Sequence, residues 1–109
     1  MSLYDTLRES VLNRRPCRIN KFDQAERKVS PYPMGKSSEN DLNVLYYQYE
    51  GYRSRRLQPE GSSGNWRCNR ISDIATAEII DAAWRQPIQK PKTRGNCVVL
   101  LDVEVKGYY

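Results

Sequence analysis

The stretch from Gly64 to Ile74 combines residue types that can bind a ligand. It reads Gly-Asn-Trp-Arg-Cys-Asn-Arg-Ile-Ser-Asp-Ile. Because the side chains of a strand alternate between its two faces, a strand here would place Trp66, Cys68 and Arg70 on one face. An aromatic ring beside a guanidinium offers a flat apolar surface and a cation to the same ligand. The structural alternative puts Trp66 in the core and pairs Arg70 with a carboxylate.

Excess positive charge lies in two segments of the chain. The 109 residues include 18 Lys and Arg against 13 Asp and Glu, which gives a net charge of +5. The segment 53–70 contains Glu60 as its one acid, and its basic residues are Arg53, Arg55, Arg56, Arg67 and Arg70. The segment 85–96 contains bases and no acid. Clustered positive charge attracts phosphate or acidic ligands, although an ordinary solvated surface has the same composition.

The residue types that are missing or scarce argue against an enzyme. The chain has no histidine, and therefore lacks the commonest general base and the commonest transition-metal ligand. Its three cysteines are far apart and form no CxxC pair. We therefore expect reduced thiols in a cytoplasmic protein, and neither a metal nor another cofactor. No apolar run approaches the roughly 20 residues that span a bilayer, and no secretory signal is visible, so we expect no membrane association.

The first element predicted from the pattern is an N-terminal helix over residues 2–14. Ser2 and Asp5 have the spacing of a capping box. Leu3, Leu7 and Val11 then repeat every four residues and form one apolar stripe, which must pack on something to be stable. Pro16 cannot continue this helix.

The rest of the chain is mostly typical of strands. Residues 17–22 alternate, and 26–30 can return as the second arm of a hairpin, before Pro31 and Pro33 break regular pairing. Residues 42–50 are the clearest strand, with apolar surface on both faces, as in a central strand or a barrel wall. Residues 97–105 read as a buried strand. The segment 71–84 fits either a helix or a strand, and 36–41 and 51–64 read as loops.

Tyrosines add a nucleic-acid hypothesis. Tyr47 and Tyr49 share one face of the 42–50 strand and lie close in sequence to arginines, an arrangement that single-stranded nucleic-acid binders use for base stacking. The commoner explanation is that such tyrosines pack a small barrel and keep their hydroxyls in water.

Several of these motifs, taken in order, resemble the WYL domain over roughly residues 3–84. They are the N-terminal helix, Asn-Arg-Arg-Pro-Cys-Arg-Ile at 13–19, Arg27 to Tyr32 leading into Met34-Gly35, Leu-Tyr-Tyr-Gln-Tyr at 45–49 and Trp66 to Ile74. The strongest part is Arg70 to Ile74. The family's naming tripeptide is replaced by Asn-Val-Leu at 43–45, and Asn69 and Asp73 stand where the family has aromatic and basic residues.

The resemblance implies a mainly β (α+β) fold: a small Sm/SH3-like antiparallel β-barrel with an N-terminal α-helix. Residues 1–109 would form one domain, with the barrel over 16–84, a basic linker over 85–96 and a C-terminal strand over 97–106. In that family the domain usually follows a helix-turn-helix region in bacterial transcription regulators. It is thought to bind a ligand or nucleic acid there.

The predicted function is a non-enzymatic binding module for a small anionic ligand or nucleotide-type effector. Arg70 is its first contact by resemblance to the motif, with Trp66 on the same face. The further predicted contacts are Arg67, Arg53, Arg55, Arg56, Tyr47 and Tyr49. The alternatives are a single-stranded nucleic-acid-binding protein of the Sm type and a structural protein that assembles as a homodimer. The fold does not decide among them.

Overall fold

One N-terminal helix precedes an antiparallel sheet in the computed structural model, which describes residues 2–22, 24–51, 65–85 and 97–105. The helix, α1, spans Leu3–Asn13. The Ser2 hydroxyl accepts a hydrogen bond from the backbone N–H of Asp5 at 3.1 Å, which confirms the predicted cap. The helix ends at Arg14, whose left-handed backbone (φ 50°) lets its N–H reach the carbonyl oxygens of the last turn.

Six strands follow the helix: β1 (Cys17–Lys21), β2 (Arg27–Lys36), β3 (Leu42–Gly51), β4 (Trp66–Arg70), β5 (Ile74–Ile79) and β6 (Leu100–Val103). Their order in the sheet is β4-β3-β2-β1-β5, and β6 pairs with β2 beyond the end of β1. Every pair is antiparallel. The described residues are therefore mainly β with one helix, as predicted. Strands β4 and β5 stand at the two ends of this order, and no pairing between them closes the described sheet into a barrel.

The predicted hairpin is confirmed, and the effect of the two prolines is confirmed in part. Cys17 pairs with Val29 across β1 and β2. Strand β2 stays extended through Pro31 and Pro33, but its register with β3 shifts between Pro31 and Met34. A shift of this kind accommodates residues that have no N–H to donate to the ladder.

The segment 71–84 is mainly extended. Residues Ile71–Asp73 form one turn of 3₁₀-helix that leads directly into β5, and β5 pairs with β1. The C-terminal strand is shorter than predicted, because β6 covers Leu100–Val103 of the predicted 97–106. Most of the predicted linker, residues 86–96, lies outside the described residues.

The core fills the space between α1 and the sheet. Leu7 and Val11 of the predicted helical stripe are buried, which confirms that the stripe packs on the strands. Strand β3 is buried on both faces, with Val44 and Tyr46 on one and Leu45 and Tyr47 on the other. It is a central strand, as its composition predicted. No helix among the described residues is long and apolar enough to cross a membrane.

Gly35 lets β6 approach β2 closely. A Cβ atom at this position would lie 2.1 Å from the backbone oxygen of Leu100, a contact that the two strands could relieve only by moving apart. We therefore expect Gly35→Ala to lower the free energy of unfolding by about 1–3 kcal/mol, the usual cost of overpacking. Urea unfolding measures this loss, and hydrogen exchange should show faster exchange of the β6 amides. Lys36→Ala, at the exposed neighbouring position, is the control; equal stability of both variants would contradict the prediction.

Candidate functional site

Strand β4 carries the residues that the sequence singled out, and its pairing with β3 sets their neighbours. Arg70 lies opposite Asn43, Cys68 opposite Leu45 and Trp66 opposite Tyr47. This register confirms the predicted strand. It also brings the shared face of Trp66, Cys68 and Arg70 over the matching face of β3.

Trp66 packs as a structural residue at the margin of the core. It is half-buried, and its ring lies 4.9 Å from the Tyr32 ring in an edge-on arrangement and 6.0 Å from the Tyr47 ring. Tyr32 in turn contacts Trp84, whose indole N–H donates to the Tyr32 hydroxyl at 3.1 Å. Aromatic pairs of this geometry stabilise a core beyond their buried area. The structural alternative for Trp66 therefore describes its surroundings.

Cys68 and Cys97 form a disulfide, with an S–S distance of 2.07 Å across a sequence separation of 29. The expectation of three reduced thiols is wrong for these two residues. The bond fastens the segment that leads into β6 to the outermost strand, β4. Cys17 alone is a free thiol among the described residues; it is buried as predicted, and burial raises its pKa to about 11.

A polar cleft of about 320 Å³ adjoins the exposed end of β4, and we call it the Arg70 cleft. The residues that line it are Ser37, Ser38, Glu39, Asp41, Asn43, Cys68, Arg70 and Cys97. It lies between the turn that joins β2 to β3, the end of β4 and the disulfide. Nothing in the sequence places the turn beside Arg70, because that requires the β3–β4 register.

The turn that forms one wall of the cleft is held by its own hydrogen bonds. The Ser37 hydroxyl accepts from the backbone N–H groups of Glu39 and Asp41, at 3.1 and 3.2 Å. The Ser37 N–H donates to the carbonyl oxygen of Asp41 at 2.8 Å. Asn40 takes the left-handed conformation (φ 68°) that asparagine tolerates in turns. These bonds fix the backbone that carries two carboxylates.

Arg70 is accessible at the cleft. Its side chain is 57% exposed, and its Nε lies 3.2 Å from Oδ2 of Asp73, three residues on. An exposed ion pair of this kind contributes little to stability, so its partners can be exchanged for those of a ligand at low cost.

Asn43 is the buried polar residue of the cleft. It is 7% exposed, and its Nδ2 donates to Sγ of Cys68 at 3.6 Å, a weak hydrogen bond. Its Oδ1 accepts no hydrogen bond from the protein. Leaving a buried acceptor unsatisfied costs about 1–3 kcal/mol, so such atoms are usually paired with water or a ligand.

The other predicted contacts do not gather at this cleft. Tyr47 is fully buried in the core, so the stacking role suggested for it does not fit its position. Tyr49 is half-buried beneath the Arg85 guanidinium, which lies 5.1 Å from its ring centre, and burial raises the pKa of Tyr49. Arg67 is half-buried and donates to the Trp66 carbonyl oxygen at 3.1 Å. The predicted contacts Arg53, Arg55 and Arg56 lie outside the described residues.

A second polar group, which the sequence did not reveal, lies on the opposite face of β4. The Arg27 guanidinium is buried and donates to the Tyr46 hydroxyl at 3.0 Å and to Oε1 of Gln24 at 2.7 Å. The Tyr46 hydroxyl donates to Oδ1 of Asn69 at 2.8 Å, and burial raises the pKa of Tyr46. These residues bond to one another and form an internal network, so we assign them a structural role.

Within the described part of the chain, no cluster of carboxylate and thiol groups could hold a metal ion. Comparison of the chain with protein families, curated proteins and solved structures gave no match. The functional argument therefore depends on the chemistry of the Arg70 cleft and on the motifs quoted above.

Proposed function

We propose that this chain is a non-enzymatic, WYL-like binding module, and that its ligand is a small molecule with an acidic group that occupies the Arg70 cleft. The observation that carries the proposal is the position of Arg70. The residue that the sequence motif ranks first lies, exposed, at a polar cleft of about 320 Å³. A guanidinium binds carboxylate and phosphate groups through paired hydrogen bonds.

We also propose that the sheet is an Sm/SH3-like barrel. Two features support this. The strand order β4-β3-β2-β1-β5 brings the first and the last strands of the 17–79 region side by side, and a single 3₁₀ turn joins β4 to β5. A barrel of this kind would make β4 and its Arg70 part of one continuous wall, on which ligand sites are common.

Single-stranded nucleic-acid binding is the weaker proposal. Stacking needs an exposed ring face, and the Tyr47 ring has none. Tyr49 has some exposed surface, but Arg85 lies over its ring.

Two further predictions from the sequence stay predictions. The apolar residues exposed around β6, Val99, Leu100 and Leu101, are compatible with a homodimer, but they adjoin residues outside the described part of the chain. A cytoplasmic location conflicts with the Cys68–Cys97 disulfide, because reducing compartments keep such pairs open.

The proposed site can be tested by changing Arg70. Small carboxylic acids, amino acids, inorganic phosphate and nucleotides would be screened by ligand-observed NMR, and calorimetry would measure the affinity of any that bind. We expect Arg70→Gln to weaken binding by about tenfold to a hundredfold, since a hydrogen bond to a charged group contributes roughly 1.5–3 kcal/mol.

Arg8→Gln is the matched control for this test. Arg8 is also an exposed arginine that pairs through Nε with one carboxylate, Asp102 at 3.4 Å, and it does not line the cleft. The variant should bind as the unmodified protein does. The proposal fails if nothing in the panel binds, or if Arg70→Gln binds as tightly as Arg8→Gln.

A further inference from the structure

We infer that the ligand of the Arg70 cleft carries an ammonium group next to its acidic group, as a free amino acid does. This inference rests on the proposed function and narrows its ligand class. It follows from the charges, the acceptors and the spacing of the residues that line the cleft.

The charges in the cleft do not favour a purely anionic ligand. The described residues that line it include one cation, Arg70, and two carboxylates, Glu39 and Asp41. Arg70 is in addition paired with Asp73. An anion bound to Arg70 would therefore lie near an excess of negative charge, and like charges in a partly desolvated site repel. A cationic group on the same ligand removes this repulsion.

The hydrogen-bonding groups indicate the same ligand. Asn43 is more than nine-tenths buried against the cleft, and its Oδ1 accepts no hydrogen bond from the protein. The carboxylate of Asp41 can only accept hydrogen bonds when it is ionised. An ammonium group has three donors and no acceptor, so it matches a set of acceptors of this kind.

The spacing of donor and acceptors fits adjacent ligand groups. Asn43 and Arg70 lie directly opposite each other on β3 and β4. The Cβ atoms of such a pair are roughly 5 Å apart. The amino and carboxyl groups of an α-amino acid are attached to the same carbon atom, so one could face the Asn43 and Asp41 side of the cleft while the other faces Arg70. The volume of about 320 Å³ is sufficient for a molecule of this size.

The test compares ligands that differ in one group. The common protein amino acids would be screened by ligand-observed NMR against the full chain with its disulfide intact. The amino acid that binds best would be compared by calorimetry with its α-hydroxy acid, which lacks the ammonium group, and with the amine that lacks the carboxyl group. We expect each of these two analogues to bind at least tenfold more weakly than the amino acid.

Substitution in the cleft assigns the acidic end of the ligand. Arg70→Gln should weaken the amino acid and the hydroxy acid, and leave the amine unchanged.

Each result decides the inference, and the results separate it from the proposed function. Binding of the hydroxy acid as tight as that of the amino acid overturns the inference and leaves an acid-binding Arg70 cleft. The same conclusion follows if no amino acid binds while phosphate or a simple carboxylate binds through Arg70. If none of these compounds binds, or Arg70→Gln changes nothing, the inference and the proposed function are both wrong.

Discussion

Replacement of Tyr47 by alanine should lower the free energy of unfolding by about 3–5 kcal/mol, the usual cost of removing a large buried side chain. Tyr47 is 0% exposed on the central strand β3, and its ring lies beside that of Trp66. The change would leave a cavity between these elements. A loss of this size is a large part of the total stability of a small domain, so the variant should unfold at a much lower urea concentration.

Tyr49→Ala is the matched comparison, because the same side chain is removed two residues along the same strand. Tyr49 is half-buried, and its recorded ring contact is with the Arg85 guanidinium at the surface. We expect a loss of about 1 kcal/mol, typical of a partly exposed position. Equal losses in the two variants would contradict the burial difference between them.

The same pair of variants separates the core role from the nucleic-acid hypothesis. If Tyr47 stacked on a base, Tyr47→Ala would keep its fold and lose roughly 1–3 kcal/mol of binding to a short single strand. A filter-binding or fluorescence titration at low salt, run beside the unfolding curves, measures both properties. A stable, folded Tyr47→Ala protein with weakened binding would show that the buried arrangement of Tyr47 is wrong.

The elements that the sequence predicted well are those that local patterns specify. The Ser2 cap and the Leu7 and Val11 stripe define α1 through bonds and spacings within one helix. The alternation in 42–50 likewise defines β3, and both of its faces are buried as its composition indicated. The burial of Tyr47 relative to Tyr49 is different in kind. The two residues have the same type and share a face, so only the packing of Trp66 and the neighbouring strands distinguishes them.

The Arg70 cleft could be predicted only in part. The motif identified Arg70 and the strand that carries it, and residues 36–41 were correctly read as a loop between strands. The sequence gave no sign that this loop lies beside Arg70. That neighbourhood depends on the pairing of Asn43 with Arg70, and a slip of one residue in this pairing would turn Arg70 to the other face.

The disulfide could not be predicted at all, because no local signal relates two cysteines that are 29 residues apart. Cys68 lies on β4 and Cys97 lies just before β6, and these strands are not paired with each other. Their proximity results from the packing of the whole sheet. The absence of a CxxC motif, from which we expected reduced thiols, excludes one kind of pairing and has no bearing on long-range pairs.

Reduction of this disulfide should produce the other large change in stability. A cross-link restricts the unfolded chain, and for a loop of this length the chain-entropy estimate is about 3–4 kcal/mol. We therefore expect a strong reductant to lower the free energy of unfolding by about that amount. The dependence on urea should also become steeper, because an unfolded chain without the cross-link exposes more surface.

The double variant Cys68→Ser/Cys97→Ser is the control for direct effects of the reductant. It should be as unstable as the reduced protein and should not respond to reductant. Cys17 needs no substitution, because its thiol is buried in the folded protein and its raised pKa keeps it protonated near neutral pH. Thiol titration of the denatured protein without reductant provides an independent check. It should detect Cys17 alone, and reaction of all three cysteines of the chain would show that the bond does not form.

The disulfide also connects stability to the proposed site, since Cys68 and Cys97 both line the Arg70 cleft. Cys68 is two residues from Arg70 on the same face of β4, and its Sγ accepts the hydrogen bond of Asn43. Breaking the S–S bond frees the Cys97 wall of the cleft, whereas the β3–β4 pairing that holds Arg70 opposite Asn43 does not depend on it. We therefore expect the reduced protein, at temperatures where it stays folded, to bind any ligand of the cleft more weakly. Calorimetry with and without reductant measures this difference, and equal affinities would show that the disulfide acts on stability alone.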